Sequence, residues 1–215
     1  GKTLMQKKRN AEAMECFKKA ADFGNAEESL FVAKHNKRSK YYKKANPFYE
    51  KAFTGNNPEL YFDIIEICKL ANDTQGVRKW VENAAQFYRD TCQKENIYIY
   101  HMILECYLEF EDLNAVLFWG KKIYQAGDLS VAPDIADIYK QMKNFKMAIE
   151  WLQKSEYTKD VAIHIANIYT ENLNDPKNAL IWFKKSLDMM LPTDPDYSAM
   201  QACIERFKKI VAKMN

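Results

Sequence analysis

Glycine and proline are scarce in this sequence, with six of each in 215 residues. That is about half the usual share of both residues, which argues against a loop-rich β-sandwich or barrel. No uninterrupted apolar stretch approaches the roughly 18 residues of a membrane-spanning helix. No segment has the pattern of a strand followed by a tight hairpin turn. These absences favour a helical protein.

The five cysteines contain no Cys-x-x-Cys pair and are scattered along the chain. An odd, scattered set does not predict a disulfide framework. It fits a reducing compartment, or a role for cysteine as a small buried hydrophobic residue. The cysteines therefore favour a cytoplasmic location and leave a periplasmic or secreted one open.

Charge is uneven along the chain, although the net charge is only +3. Residues 1–54 contain 13 Lys and Arg against 6 Asp and Glu, whereas the remainder contains 19 against 23. Hydrophobic residues make up 47% of the chain and charged residues 28%, which excludes wholesale disorder. The uneven distribution of charge along the chain bears on which partners its surface could recognise, and it does not indicate a fold.

A short pattern recurs six times: a small residue, an aromatic residue three or four positions later, and usually a small residue at the seventh position. Its copies begin at Ala13, Ala45, Gly76, Ala115, Ala148 and Ala179. Steps of 31 to 39 residues separate them, a period typical of helical repeats. All four tryptophans occupy the aromatic position of a copy. The spacing places each copy on one face of a helix, here termed helix B.

A second apolar pattern precedes each of the last five copies and predicts a partner helix, termed helix A. Gly24, Gly55 and Gly127 follow B helices, and the Asn or Asp after each of them predicts a helix end and a new cap. Helices are expected at 1–8, 10–23, 26–37, 44–54, 58–71, 74–91, 96–110, 112–126, 130–142, 144–155, 158–171, 175–190 and 195–214.

The last of these helices is expected to close the array, since the end of a repeat stack must hide its apolar face. Its apolar stripe is expected to contain Met200, Cys203, Phe207, Ile210 and Val211. We therefore predict a repeat array over residues 1–190 and a C-terminal capping helix within residues 191–215. Because the chain begins in the middle of a unit and without Met, we expect the native protein to extend upstream of residue 1.

Two A–B pairs carry the clearest family resemblance, through Leu/Ile-Ala…Tyr in helix A and Ala…aromatic…Ser in helix B. The residues are Ile135, Ala136, Tyr139, Ala148, Leu152 and Ser155, and then Ile165, Ala166, Tyr169, Ala179, Phe183 and Ser186. Over residues 1–190 the chain resembles the tetratricopeptide repeat family. Residues 13–27 are similar to its Sel-like subfamily. The closing proline of the repeat is absent, and Asn83 and Lys122 replace a small residue.

The resemblance implies an all-α fold, a right-handed α-solenoid of about six antiparallel helix pairs. It further implies a non-enzymatic scaffold whose A helices line a concave groove for a peptide or helix of another protein. Stacked helix pairs suit extended partners on physical grounds as well. From the register, the expected groove residues are Lys34, Lys37, Phe62, Glu66, Tyr98, His101, Glu105, Asp137, Lys140 and Asn167. Phe62 and Tyr98 would be apolar anchors, although Phe62 could equally pack between helices.

A basic segment around residues 34–44 supports an alternative function. Its cations include Lys37, Arg38, Lys40, Lys43 and Lys44, and two tyrosines lie among them. Such a segment can clamp phosphates and stack bases. It would also suit an acidic protein or anionic lipid headgroups, or form a solvated connection between helices.

No catalytic residue, metal site or cofactor is expected. Gly1-Lys2-Thr3 matches the end of a phosphate-binding loop, but the strand and the glycine-rich run that such a loop needs are missing. His35, His101 and His164 have no partner at the spacing of a zinc site. Cys92 is a candidate reactive thiol, but a lone cysteine in a loop usually has no such role. An enzyme would require a further domain.

Overall fold

The computed structural model describes residues 10–55, 57–90 and 94–214. These residues form twelve α-helices and two short 3-10 helices and contain no β-strand, so the predicted all-α class is confirmed. The α-helices are α1 Asn10–Asp22, α2 Ala26–Arg38, α3 Tyr42–Ala52, α4 Leu60–Leu70, α5 Thr74–Tyr88, α6 Ile97–Glu109, α7 Leu113–Gln125, α8 Ala132–Gln141, α9 Phe145–Leu152, α10 Lys159–Glu171, α11 Pro176–Leu187 and α12 Tyr197–Ala212. The 3-10 helices are Lys94–Asn96 and Leu129–Val131.

Each expected helix from residue 10 onward is present, with ends that differ by up to three residues. The A helices are α2, α4, α6, α8 and α10, and the B helices are α1, α3, α5, α7, α9 and α11. The expected helix at 1–8 lies outside the described residues, as do residues 1–3 and Cys92. Among the described helices, none is long and apolar enough to cross a membrane.

The chain divides into two compact units, Gly1–Thr91 and Cys92–Asn215. The boundary falls in the stretch where the repeat step lengthens to 39 residues. A single array over residues 1–190 with a cap over 191–215 stays a prediction.

In the first unit, consecutive helices from α1 to α5 pack against one another. Val32, Tyr49, Ile64 and Val81 are fully buried between them. The small residues at the start of the repeat pattern permit this packing, since Ala13 and Ala45 are also fully buried. A helix that exposes a small side chain to its neighbour lets the neighbour approach closely, and the aromatic residue then fills the remaining space.

In the second unit, consecutive helices from α6 to α12 pack in the same way. Its most buried side chains include Tyr100, Ile103, Ile123, Leu152 and Ile165. Gly120 allows an especially close approach, because a Cβ at this position would lie 2.9 Å from Ile135 Cγ1 on α8. Glycine at this point of α7 therefore sets the separation of α7 and α8.

Each B-helix tryptophan is buried against another aromatic ring. The pairs and their centroid separations are Trp80–Phe53 at 5.1 Å, Trp119–Tyr100 at 5.6 Å, Trp151–Tyr124 at 5.1 Å and Trp182–Tyr157 at 6.4 Å. In three pairs the partner comes from the end of the preceding B helix or just after it. Since aromatic residues bury a large apolar area, these rings contribute much of the packing between successive repeats.

The turns from helix A to helix B share one backbone conformation. Each contains a non-glycine residue with positive φ, at Lys40, Asn72, Glu111, Lys143 or Asn174. Three of the turns from helix B to helix A instead use glycine, at Gly24, Gly55 and Gly127. Four B helices then begin with a side-chain cap, from Asp73, Asp112, Asn144 and Asp175. The left-handed residue ends one helix and the cap starts the next.

The C-terminal helix α12 has a different buried stripe from the one expected. Met200, Ile204 and Phe207 are buried, whereas Ile210 is 36% exposed and Cys203 is half-buried. The spacing of four and three residues places the buried side chains on one face. Phe207 meets Phe183 of α11 with ring centroids 5.2 Å apart, so α12 covers the apolar face of the last B helix.

Candidate functional site on the A helices

The A helices of the first unit carry a charged cluster at the predicted groove positions. Lys37 Nζ on α2 donates to Asp63 Oδ1 at 3.0 Å and to Glu66 Oε2 at 2.6 Å, both on α4. Lys37 and Glu66 were expected in the groove, but their contact was not. Asp63 was missed, although it lies one helical turn before Glu66 and therefore on the same face. Lys34 is exposed and Phe62 half-buried.

The charges of this cluster act electrostatically on Tyr49. Its ring is fully buried, and its phenol oxygen has no hydrogen-bond partner among the described residues. Burial raises the pKa of Tyr49 to about 12, and the charge of Asp63 acts in the same direction. Burial lowers the pKa of Lys37, but hydrogen bonds to Glu66 and Asp63 outweigh burial and raise that pKa above its ordinary value. The ammonium group therefore stays charged and fixed between two carboxylates.

The A helices of the second unit carry two histidine–aspartate pairs. His101 Nε2 on α6 lies 2.9 Å from Asp128 Oδ2, which belongs to the turn before α8. His164 Nε2 on α10 lies 3.5 Å from Asp137 Oδ1 on α8. Hydrogen bonds from Ser130, and then from His101, hold the pKa of Asp128 below its ordinary value. Asp128 and His164 were not among the predicted site residues.

The remaining predicted groove residues of the second unit differ in exposure. Tyr98 and Glu105 are exposed on α6, and Lys140 and Asn167 are half-buried on α8 and α10. Tyr98 is 65% exposed, which is high for so large a ring. In both units these polar contacts link positions 26 to 29 residues apart, slightly less than one repeat. They connect neighbouring A helices or the turn leading into the next one.

An apolar pocket of about 200 Å³ opens between α6, α7 and α8. Its walls are Leu104, Leu108, Val116, Leu117, Gly120, Val131, Ile135 and Ile138. Two exposed carboxylates, Asp134 and Asp137, complete the lining. Burial raises the pKa of Asp134 above its ordinary value and nearby Asp137 raises it further, while His101 lowers it. Of this lining, the sequence predicted only Asp137 as a site residue.

The basic segment lies at the turn between α2 and α3. Arg38, Lys40, Lys43 and Lys44 are exposed there, whereas Lys37 is engaged by the carboxylates of α4. Lys44 Nζ lies 5.1 Å from the ring centroid of Tyr41. Four of the five predicted cations are thus accessible at one end of a helix pair.

Metal and thiol chemistry find little support in the described residues. No three His, Cys, Asp or Glu side chains of that part of the chain come together as a metal site. Burial raises the pKa of the Cys68 thiol to about 11, which disfavours the reactive thiolate.

Paired antiparallel helices that repeat every 31 to 39 residues define this chain as a helical-repeat protein. A family model described as tetratricopeptide repeat matches residues 1–23 and 134–158. The predicted tetratricopeptide resemblance is confirmed for these segments, and the Sel-like subfamily stays a prediction. No curated protein matches the chain.

Solved structures extend the likeness in fold to most of the chain. The MamA protein is 15% identical with a TM-score of 0.53, over 76% of this chain and 91% of that one. YrrB, described as a TPR protein with an unusual peptide-binding site, is 14% identical with a TM-score of 0.53, over 89% and 99%. The C-terminal part of a TPR repeat-containing protein from Cytophaga hutchinsonii is 15% identical with a TM-score of 0.55, over 96% and 84%. At these identities the comparison concerns the fold.

Proposed function

We propose that this chain is a non-enzymatic protein–protein interaction scaffold whose A helices bind a peptide or helix of another protein. The observation that carries the proposal is the ordered set of side chains on the A helices. Lys37, His101 and Asp137 are held by contacts to neighbouring A helices or turns, and Tyr98 presents an exposed ring. Side chains that are already fixed lose little entropy when a partner binds. The peptide-binding site named for YrrB supports the same function for this fold.

Selection from a random peptide library displayed on phage tests this proposal. We expect enriched peptides to lose at least about tenfold in affinity for a Tyr98→Ser, Glu105→Lys double variant, because burial of an aromatic ring contributes about 1.5–3 kcal/mol. The matched control is Glu82→Lys, which changes an exposed glutamate on B helix α5 and should leave binding unchanged. Peptides that bind the double variant and the parent chain equally would contradict the assignment to the A helices.

A second candidate function is binding of nucleic acid or another anionic surface by the basic turn. Exposure of Arg38, Lys40, Lys43 and Lys44 on one turn favours it. Replacement of all four by Gln should then abolish retention on heparin and flatten the salt dependence of DNA binding. Replacement of Lys184, Lys208, Lys209 and Lys213, which are exposed near the C-terminus, removes the same charge and serves as the control. Equal losses in both variants would refute a specific role for the turn.

The compartment is proposed from the cysteines. Cys16, Cys68, Cys106 and Cys203 form no disulfide with one another, and Cys68 and Cys106 are buried in the helix packing. Free thiols persist in reducing compartments. We therefore propose a cytoplasmic location, which fractionation of cells that express the full-length protein would test.

A further inference from the structure

The apolar pocket between α6, α7 and α8 has a size that restricts what it can hold. Sites for small molecules usually measure about 300–1,000 Å³, and this pocket measures about 200 Å³. An apolar cavity of about 150 Å³ holds a benzene molecule. The volume therefore matches one large side chain and falls short of a typical metabolite.

The chemistry of the walls restricts the occupant further. Leu104, Val116 and Ile138 are largely buried in the wall, whereas Leu108 is 44% exposed. An occupant thus gains apolar contact on several sides at once. Burial of a phenylalanine or leucine side chain in such surroundings is favourable in proportion to the apolar area removed from water.

The pocket also carries negative charge at its edge. Asp134 and Asp137 are one helical turn apart on α8, and both line the pocket. Asp137 Oδ1 lies 3.5 Å from His164 Nε2 on α10. A cationic group beside the occupant would compensate these carboxylates, and an anionic group would be repelled.

We propose that this pocket binds one phenylalanine or leucine side chain of a partner segment that carries Lys or Arg beside it. The apolar residue enters between α6 and α8, and the cation pairs with Asp134 and Asp137. This inference rests on the proposed function and specifies the chemistry of the segment recognised. Gly120 helps to form the pocket because it has no side chain, and a Cβ there would press on the wall residue Ile135.

Methyl-labelled full-length chain, titrated with three acetylated Gly/Ser peptides, tests the proposal by NMR. The first peptide has a central Phe between two Lys, the second replaces Phe by Ala, and the third replaces both Lys by Glu. We expect the first peptide to shift the methyl signals of Leu104, Val116 and Ile135 at about 1 mM. Loss of Phe should weaken binding at least about tenfold, and charge reversal about fivefold, less at high salt.

Variants of the chain separate the two parts of the pocket. Leu108→Trp should block the pocket, and Leu173→Trp is its control, because Leu173 is similarly exposed at 41% but lies outside the lining. Asp134→Asn with Asp137→Asn should remove the preference for Lys over Glu, whereas Asp160→Asn on α10 should preserve it. Absence of methyl shifts, or binding that survives Leu108→Trp, would overturn the proposal.

Failure of the pocket proposal can be distinguished from failure of the proposed scaffold function. Library peptides that depend on Tyr98 and Glu105, together with no pocket methyl shift from the Lys–Phe peptide, would refute the pocket assignment and preserve the scaffold function. Pocket shifts with the Lys–Phe peptide, together with selected peptides that bind the Tyr98→Ser, Glu105→Lys variant and the parent chain equally, would support the pocket and contradict the wider binding surface that includes Tyr98 and Glu105.

Discussion

At the scale of single residues, the charged cluster of the first unit shows how a polar group can be fixed at low cost. Lys37 is only half-buried, so its desolvation is partial, and two carboxylates compensate its charge. Tyr49 is less well compensated, because its ring packs well while its buried hydroxyl has no partner among the described residues. A phenylalanine at position 49 would therefore keep the packing of the ring and lack only the hydroxyl.

Tyr49→Phe should therefore change the pH dependence of stability more than stability itself. Near pH 7 we expect the free energy of unfolding to stay the same or rise by up to about 1 kcal/mol, because an unsatisfied buried hydroxyl is removed. The pKa of Tyr49 is 10.0 in an unfolded chain and about 12 in the fold. Stability from the neutral phenol is complete below pH 10 and is lost as pH rises toward 12. Urea unfolding across this range measures the difference.

The variant should lose less stability than the parent chain above pH 10. Some alkaline loss will persist, because the pKa of Lys37 is also raised by folding and its contribution likewise disappears at high pH. Tyr98→Phe is the matched control, since Tyr98 is exposed. Parallel curves for the parent chain and Tyr49→Phe would show that Tyr49 is not the group responsible.

At the scale of helices and turns, the chain uses two kinds of left-handed residue. Glycine adopts this conformation without steric cost at Gly127. Lys143, between α8 and α9, adopts it at φ 57° with a side chain, which costs about 1–2 kcal/mol. Backbone hydrogen bonds from Lys143 N to Lys140 O and from Asn144 N to Tyr139 O hold the turn. These hydrogen bonds satisfy carbonyl groups at the end of α8 and thereby compensate the strain.

Lys143→Gly should raise stability by about 0.5–1 kcal/mol, since relief of the left-handed strain exceeds the added entropy of the unfolded chain. Lys184→Gly is a control of opposite sign, because Lys184 is exposed within α11 and right-handed helical there. It should cost about 1 kcal/mol. Thermal unfolding of both variants gives the comparison, and destabilisation by Lys143→Gly would refute the strain argument.

The sequence predicted the helices well because apolar periodicity and caps are local signals. Its largest errors lie at helix ends, such as α9, which ends at Leu152 where residue 155 was expected. The non-glycine turns were not predicted, because Lys143 has no preference that marks it as left-handed. The contacts of Lys37 and the pocket lining were not predicted either. They join side chains some 26 to 34 residues apart, and their meeting depends on how each helix is rotated.

At the scale of the whole molecule, repeat proteins gain stability from each repeat and from the interface with its neighbour. Within the second unit, α12 has one such interface, through Phe207 and Phe183. The opposite side of α12 is largely exposed. Loss of one contact in α12 should therefore weaken this helix first and then the helices next to it.

Phe207→Ala should lower the free energy of unfolding of the second unit by about 3 kcal/mol, the usual cost of removing a buried ring. Ile210→Ala, on the more exposed side of α12, should cost less than about 0.5 kcal/mol. Amide hydrogen exchange should show protection lost first in α12 and α11, then in α10, with α6 and α7 least affected. That order follows because each helix pair depends on its neighbours and not on distant repeats. Equal loss of protection from α6 to α12 would mean that the second unit unfolds as a single cooperative block, and nearest-neighbour stabilisation would then be the wrong description.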